Sequence, residues 1–150
     1  MIKFLSVAIA AASLLATPVS AAPFKGEIWK FDSGFGGGSG ALGRALDAIT
    51  GIAPIETFDV TAIDYPNGST GSQKNNGGLD SLLGVDAFGS TITDTSNTVM
   101  RITGTIMPGS GDKVFSVGSD DGFLLLIGGE ELRQDKPRGF KRTSKTLNLG

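Results

Sequence analysis

Residues 113–130 read KVFSVGSDDGFLLLIGGE, and no other stretch narrows the fold of this chain so far. Val114, Phe115 and Val117 precede Ser119-Asp120-Asp121-Gly122, and an unbroken apolar run, residues 123–127, follows it. Two β-rich runs around an Asp-Gly pair are the short-range signal for a hairpin, in which a tight turn sends the chain back antiparallel. The expectation is an acidic turn at the mouth of a sheet, with Phe115, Val117 and Leu125 or its neighbours buried beneath it.

A hairpin needs only one of those two carboxylates. Successive side chains of a strand point to opposite faces, so Asp120 and Asp121 converge on one cation only where the backbone leaves regular β geometry, and Gly122 permits that. Like charges held close repel unless something positive lies between them. Calcium, a hard ion that seeks oxygen, meets that need together with backbone carbonyls and ligand hydroxyls. The competing reading is a solvated turn, with one Asp bonded to local backbone and the other keeping the tip hydrated. The residues by themselves leave both open.

The first residues have the form of an export signal, with Lys3 supplying the charge, residues 4–15 the apolar stretch and Val19-Ser20-Ala21 a small-residue cleavage box. Residues 1–21 are therefore expected to be removed, and the mature chain to be secreted or held at the cell surface. The apolar run is shorter than the ~20 residues of a spanning helix and is broken by Thr17 and Pro18, so no membrane insertion is expected after cleavage. What remains suffices for one domain with a real core and not for two.

Export sharpens two absences, because the chain has neither cysteine nor histidine. Without disulfides the domain must hold together through its core or through metal. Without imidazole there is no zinc–histidine site, no Ser-His pair and no histidine acid–base chemistry. Catalysis would fall to carboxylates, lysines or Tyr65. The balance of 13 basic and 15 acidic residues is mildly acidic, and the basic residues are scattered until residues 133–145, where Phe140 is the one aromatic among them. No nucleic-acid partner is expected from that pattern. Arg138, Lys141, Arg142 and Lys145 read as a solvated strand face.

Along the mature chain, residues 26–31 read as a first strand and residues 32–40 as a glycine-rich loop. Ser39 is placed to cap a short helix that runs to about Ile49 and ends at Gly51, with Leu42, Leu46 and Ile49 on one face. Residues 56–65 alternate Phe58, Val60 and Ala62 against Thr57, Asp59 and Thr61, as in a half-buried strand. A polar Gly/Asn/Ser loop fills residues 66–78, a helical turn is expected over residues 79–83, and a further strand over residues 97–107. Strands at this short spacing, punctuated by Gly and Asn, predict a mainly β domain, an antiparallel β-sandwich or barrel with one or two short helices.

Three motif matches carry less. Gly38-Ser39-Gly40-Ala41-Leu42-Gly43 fits G-x-G-x-x-G, with Asp59 or Asp64 downstream at the spacing of a ribose contact. Export away from the nucleotide pool, surplus glycines and the lack of a second βαβ unit speak against a dinucleotide. Asn67-Gly68-Ser69 has the form of a glycosylation acceptor, and Asn76-Gly77-Gly78-Leu79-Asp80 echoes a calcium-binding repeat that occurs once.

The stretch Phe115-Ser-Val-Gly-Ser-Asp-Asp-Gly-Phe-Leu-Leu-Leu-Ile-Gly-Gly resembles the protective-antigen-type β-sandwich domain, a carbohydrate-binding module of bacterial glycosidases, toxins, fibrocystin-like proteins and yeast flocculins. The similarity spans roughly residues 24–150 and is strongest from Val99 onward. It implies that Asp120 and Asp121 coordinate calcium, that the ion binds sugar hydroxyls, and that Gly122 belongs to the same ligand-binding turn. The implied protein is an exported, non-catalytic carbohydrate-binding or adhesion module, a monomer when complete, whose partner is a glycan or cell-surface polysaccharide. The alternatives are a structural module of an envelope or matrix, or the accessory domain of a glycoside hydrolase. Gly128-Gly129 stands where many members have Asp-Gly. The loop that supplies further ligand contacts in the adhesins would lie beyond Gly150, so residues 22–150 are expected to form a domain that lacks its final strands.

Overall fold

A glycine opposite a phenylalanine organises the first sheet of the computed structural model, which describes residues 24–63, 65, 78–87 and 89–150. Strand β1 (Phe24–Lys30) lies between β2 (Glu56–Val60) and β3 (Thr98–Gly104), antiparallel to both. The register sets Gly26 opposite Phe58 on one side and Ile102 on the other. A Cβ on Gly26 would fall 2.2 Å from Phe58 Cε2, so the ring occupies the space that the missing side chain leaves. Glycine weakens a strand interior, and an aromatic ring laid over it restores the lost apolar cover.

That face of the sheet carries the core. Ile28, Leu79, Leu83 and Ala87 are buried together, and Phe58, Tyr65, Leu82, Ile92 and Met100 pack against them. Leu79 and Leu83 come from helix α2 (Leu79–Leu83), which runs into a 3₁₀ turn, Gly84–Ala87. A helix of five residues does not persist alone in water, so burial of those two leucines holds it in place. The opposite face is a ladder of charge. Lys25 pairs with Asp59 and Glu27 with Arg101, in both cases directly across the strands. Arg101 also lies 5.1 Å from the centre of the Trp29 ring. Trp29 is buried, and its indole N–H donates to the Ile52 carbonyl at 2.9 Å, which ties down the chain after α1.

Helix α1 (Ala41–Ala48) buries Ala45, and Ile49 just beyond its end is buried too. Its start differs from expectation. Ser39 does not cap it: the N-cap is Gly40, at φ 85°, with no side-chain cap from its own neighbourhood. Gly51, also at positive φ, follows the helix as expected. Although α1 separates β1 from β2 in sequence, the two strands are antiparallel neighbours. A dinucleotide-binding βαβ unit requires parallel strands, so the glycine-rich loop is no phosphate-binding turn of that kind.

The second half contains two more pairs. Strand β4 (Asp112–Ser119) runs antiparallel to β7 (Lys141–Asn148), and β5 (Phe123–Ile127) runs antiparallel to β6 (Glu130–Gln134). The hairpin expected at Asp120-Asp121 is therefore absent, because β4 and β5 belong to different sheets and the acidic turn carries the chain from one to the other. The tight hairpin here is β5–β6, closed by Gly128 and Gly129 at φ 59° and 85°. Two successive positive φ values define the type I′ turn, whose twist suits paired strands and which glycine adopts without strain. Phe115, Val117 and Leu125 are half-buried rather than buried, and the fully covered residues of this half are Leu132 and Leu147.

The protein is thus mainly β, with seven strands, all antiparallel, in sheets of three, two and two, and two short helices among the described residues. The strand expected over residues 56–65 stops at Val60, where the Thr61 amide turns to the Asp86 carboxylate. The leader, its cleavage box, Asp64 and the Asn67-Gly68-Ser69 triplet lie outside the described residues, as do Asn76 and Gly77 of the repeat-like motif. Among the described residues no helix is long and apolar enough to cross a membrane.

Candidate functional site: the acidic turn

Asp120 and Asp121 follow directly on the last residue of β4, and both are exposed. Their backbone is held by Arg138. Its amide donates to the Asp120 carbonyl at 3.1 Å; its guanidinium Nη2 shares its two N–H groups among Thr143 Oγ1 at 2.8 Å, the Lys141 carbonyl at 3.1 Å and Ser119 Oγ at 3.3 Å, and Nη1 donates to Gln134 Oε1 at 3.4 Å. A planar guanidinium whose two terminal nitrogens reach β6 on one side and β4 and β7 on the other is a brace that lysine, a point donor, could not reproduce. Its Nε is buried without a hydrogen bond. Arg138 therefore belongs to the architecture of the turn, not to the solvated strand face expected from its basic neighbours.

Gly122 fixes the other side of the turn by close approach. A Cβ there would lie 2.9 Å from the Gln134 carbonyl oxygen and 3.4 Å from Leu42 Cβ, so the turn rests on the end of β6 and on the first residues of α1. Next along, Asp135 reaches the start of the helix. Its Oδ2 accepts the Gly40 amide at 2.7 Å, and its carbonyl accepts the Leu42 amide at 3.5 Å. The Gly40 amide holds the Asp135 carboxyl below the ordinary aspartate range against partial desolvation, helped by Arg133 and the amides of Gly43 and Leu42. A helix start left without a local cap is thus served by a carboxylate 95 positions away, on the positive end of the helix dipole.

On the outer face of the β4–β7 pair, Phe140 leans over Gly118, two residues before Asp120. Three residues at this site carry no site signal in the sequence: Arg138, Asp135 and Phe140. Arg138 and Phe140 lie in the basic stretch, and only the pairing of β7 with β4 brings them to the turn. Nothing local marks Asp135 as a cap, because its partner lies at the far end of the sequence.

The fit to a cation can be judged from the donors. The turn offers two carboxylates, while calcium takes about six to eight oxygens. Among the described residues no group of three or more His, Cys, Asp or Glu side chains gathers to hold a metal. The Asp120 carbonyl is already bonded to Arg138. The turn alone does not complete a calcium site, and a bound ion would need water and ligand hydroxyls for the greater part of its shell.

Other carboxylates are engaged in structure. Glu56 and Asp86 line a shallow groove of about 420 Å³ along the β2 edge. Asp86 accepts from Thr61 Oγ1 at 2.8 Å and Tyr65 OH at 2.6 Å, while Glu56 accepts from Ser90 Oγ and Thr91 Oγ1, each at 2.7 Å. Burial raises both carboxyls, but the hydrogen bonds outweigh it and leave each below its ordinary value. Asp86 thereby ties the 3₁₀ turn to the chain just past the end of β2. No family model, no curated protein and no solved structure matches this chain.

Proposed function

We propose that this chain is an exported, non-catalytic carbohydrate-binding module whose ligand face is the Asp120-Asp121-Gly122 turn. The observation that carries the reading is a pair of exposed carboxylates on a turn whose backbone is braced by Arg138 and seated on β6 through Gly122. Acceptors carried on a braced backbone lose less freedom than those on a loose loop when they take hydrogen bonds from sugar hydroxyls. Glycosidases set two carboxyl groups across a cleft at about 5–10 Å, and adjacent residues on one turn do not flank a substrate in that way. The reading includes delivery to the cell exterior through residues 1–21, glycan or surface polysaccharide as partner, and calcium as an ion shared between the two aspartates and the ligand. A single site of this open kind would bind in the millimolar range, about −4 kcal/mol, and gain strength through repetition on a surface.

The test is a glycan array probed with the mature chain, with and without millimolar calcium, followed by titration of any sugar bound. Asp120→Asn and Asp121→Asn should each abolish binding while the melting curve in chelator stays unchanged. Retention on the array only with calcium, with a calcium-dependent rise in Tm that Asp121→Ala removes, supports the metal-bridged form. Binding of no glycan would leave the structural envelope or matrix module as the better account, and turnover of aryl glycosides would point to the hydrolase.

A further inference from the structure

Phe140 is 50% exposed, beside a turn made of charged and small residues. Its ring takes the space a side chain on Gly118 would fill, since a Cβ there would stand 2.8 Å from Cζ and 2.9 Å from Cε2. Gly118 is not among the glycines at positive φ, so its backbone does not call for glycine, whereas the ring does. Arg142 faces Gly118 across the strands, and its Cγ lies 4.0 Å from the same point. The Arg138 amide and guanidinium fasten residues 138–141 to Ser119 and Asp120, so the ring is held next to the acidic turn. Asp120 comes two residues after Gly118, in step with the outer-face alternation of β4.

From this juxtaposition we infer that Phe140 is the apolar platform of the ligand face, receiving the C–H face of a pyranose whose hydroxyls reach Asp120 and Asp121. The inference rests on the carbohydrate reading above and adds to it a contact residue and a selectivity. The face of an aromatic ring is electronegative and attracts the weakly positive hydrogens of axial C–H bonds, and open sites of this size combine one apolar surface with a few placed polar groups. The sugars favoured are those with an uninterrupted axial C–H face. An axial hydroxyl on that face, as in the 3-epimer of glucose, would be pressed against the ring and lose its water.

Saturation-transfer NMR on the mature protein with methyl β-glucoside, β-galactoside, β-xyloside and β-alloside tests this directly. Expected are saturation strongest at the axial ring protons H3 and H5 of at least one of the first three, and weaker binding of the alloside. Phe140→Ala should raise Kd at least tenfold, Phe140→Trp should restore it, and Gly118→Val, which evicts the ring, should mimic the alanine variant, all with unchanged circular dichroism. Equal binding by wild type and Phe140→Ala, with loss in Asp120→Ala, overturns the platform and leaves the carbohydrate reading standing. Binding of none of the four sugars overturns both. A variant that alters only the sedimentation coefficient would show that the ring serves self-association, and that also overturns the inference.

Discussion

Replacing Gly26 with alanine tests the packing logic of the first sheet. The new methyl would meet three atoms of the Phe58 ring at 2.2, 2.3 and 2.7 Å. Carbon atoms settle at about 3.5 Å, so the ring must retreat by about 1 Å or more, away from the Ile28–Leu79–Leu83 core that it flanks. Overpacking of this kind costs about 1–3 kcal/mol, while alanine in a strand is better than glycine by about 0.5–1 kcal/mol. The balance is a loss of about 1.5 kcal/mol, or a fall in Tm of about 6 °C for a domain of this size. Phe58→Ala alone should cost about 2 kcal/mol, since the ring is half-buried. Once the ring is gone the clash is gone, so in the Phe58→Ala background Gly26→Ala should change sign and stabilise by about 0.5 kcal/mol. The coupling in the double-mutant cycle is then about 2 kcal/mol. Urea unfolding of the four proteins measures it, provided the slope m is common to all. Additive effects, or a neutral Gly26→Ala in the parent, would refute the argument that the glycine is there to make room for the ring.

Acid should unfold the protein in a defined window. Arg101 lowers the Glu27 carboxyl by hydrogen bond and charge, hydrogen bonds overcome burial at Glu56 and Asp86, and the Ser96 amide with Lys30 takes Asp94 down to about 2. Depressed folded-state values mean that the unfolded chain binds the extra protons. Stability should therefore be flat above about pH 5 and fall from about pH 4 towards pH 2, with a shallower fall in Asp86→Asn, read as the urea midpoint against pH. Arg138→Lys should keep the charge yet lose the simultaneous reach of two nitrogens to Gln134 and to Ser119, Thr143 and Lys141, so amide exchange at residues 119–122 should quicken while the β1–β2–β3 sheet keeps its protection. Uniform exchange across the molecule would count against the brace. At the β5–β6 hairpin, Gly129→Asn should be tolerated, whereas Gly129→Val, forced to φ 85°, should cost about 1–2 kcal/mol in thermal unfolding.

Much of this architecture is written locally. Alternation in residues 56–60 and 98–104, the helical spacing of Leu79 and Leu83, and Gly51 after α1 each report the surroundings of their own segment, so class and most elements follow from the sequence. The Asp-Gly at Asp121-Gly122 misled because a turn signal states that the chain bends and is silent on which strand lies beside it. Gly128-Gly129, two residues that both accept positive φ, was the hairpin closure. What the tertiary structure alone decided is pairing across distance: β4 with β7, Arg138 with the acidic turn, and Asp135 with a helix start 95 residues earlier. Backbone amides at a helix terminus donate to, and carbonyls at a turn accept from, whatever partner packing delivers, and propensity within a segment does not encode that partner. The two carboxylates stood out in the sequence by their chemistry, whereas the brace and ring that shape their surroundings come from strands that only the fold brings together.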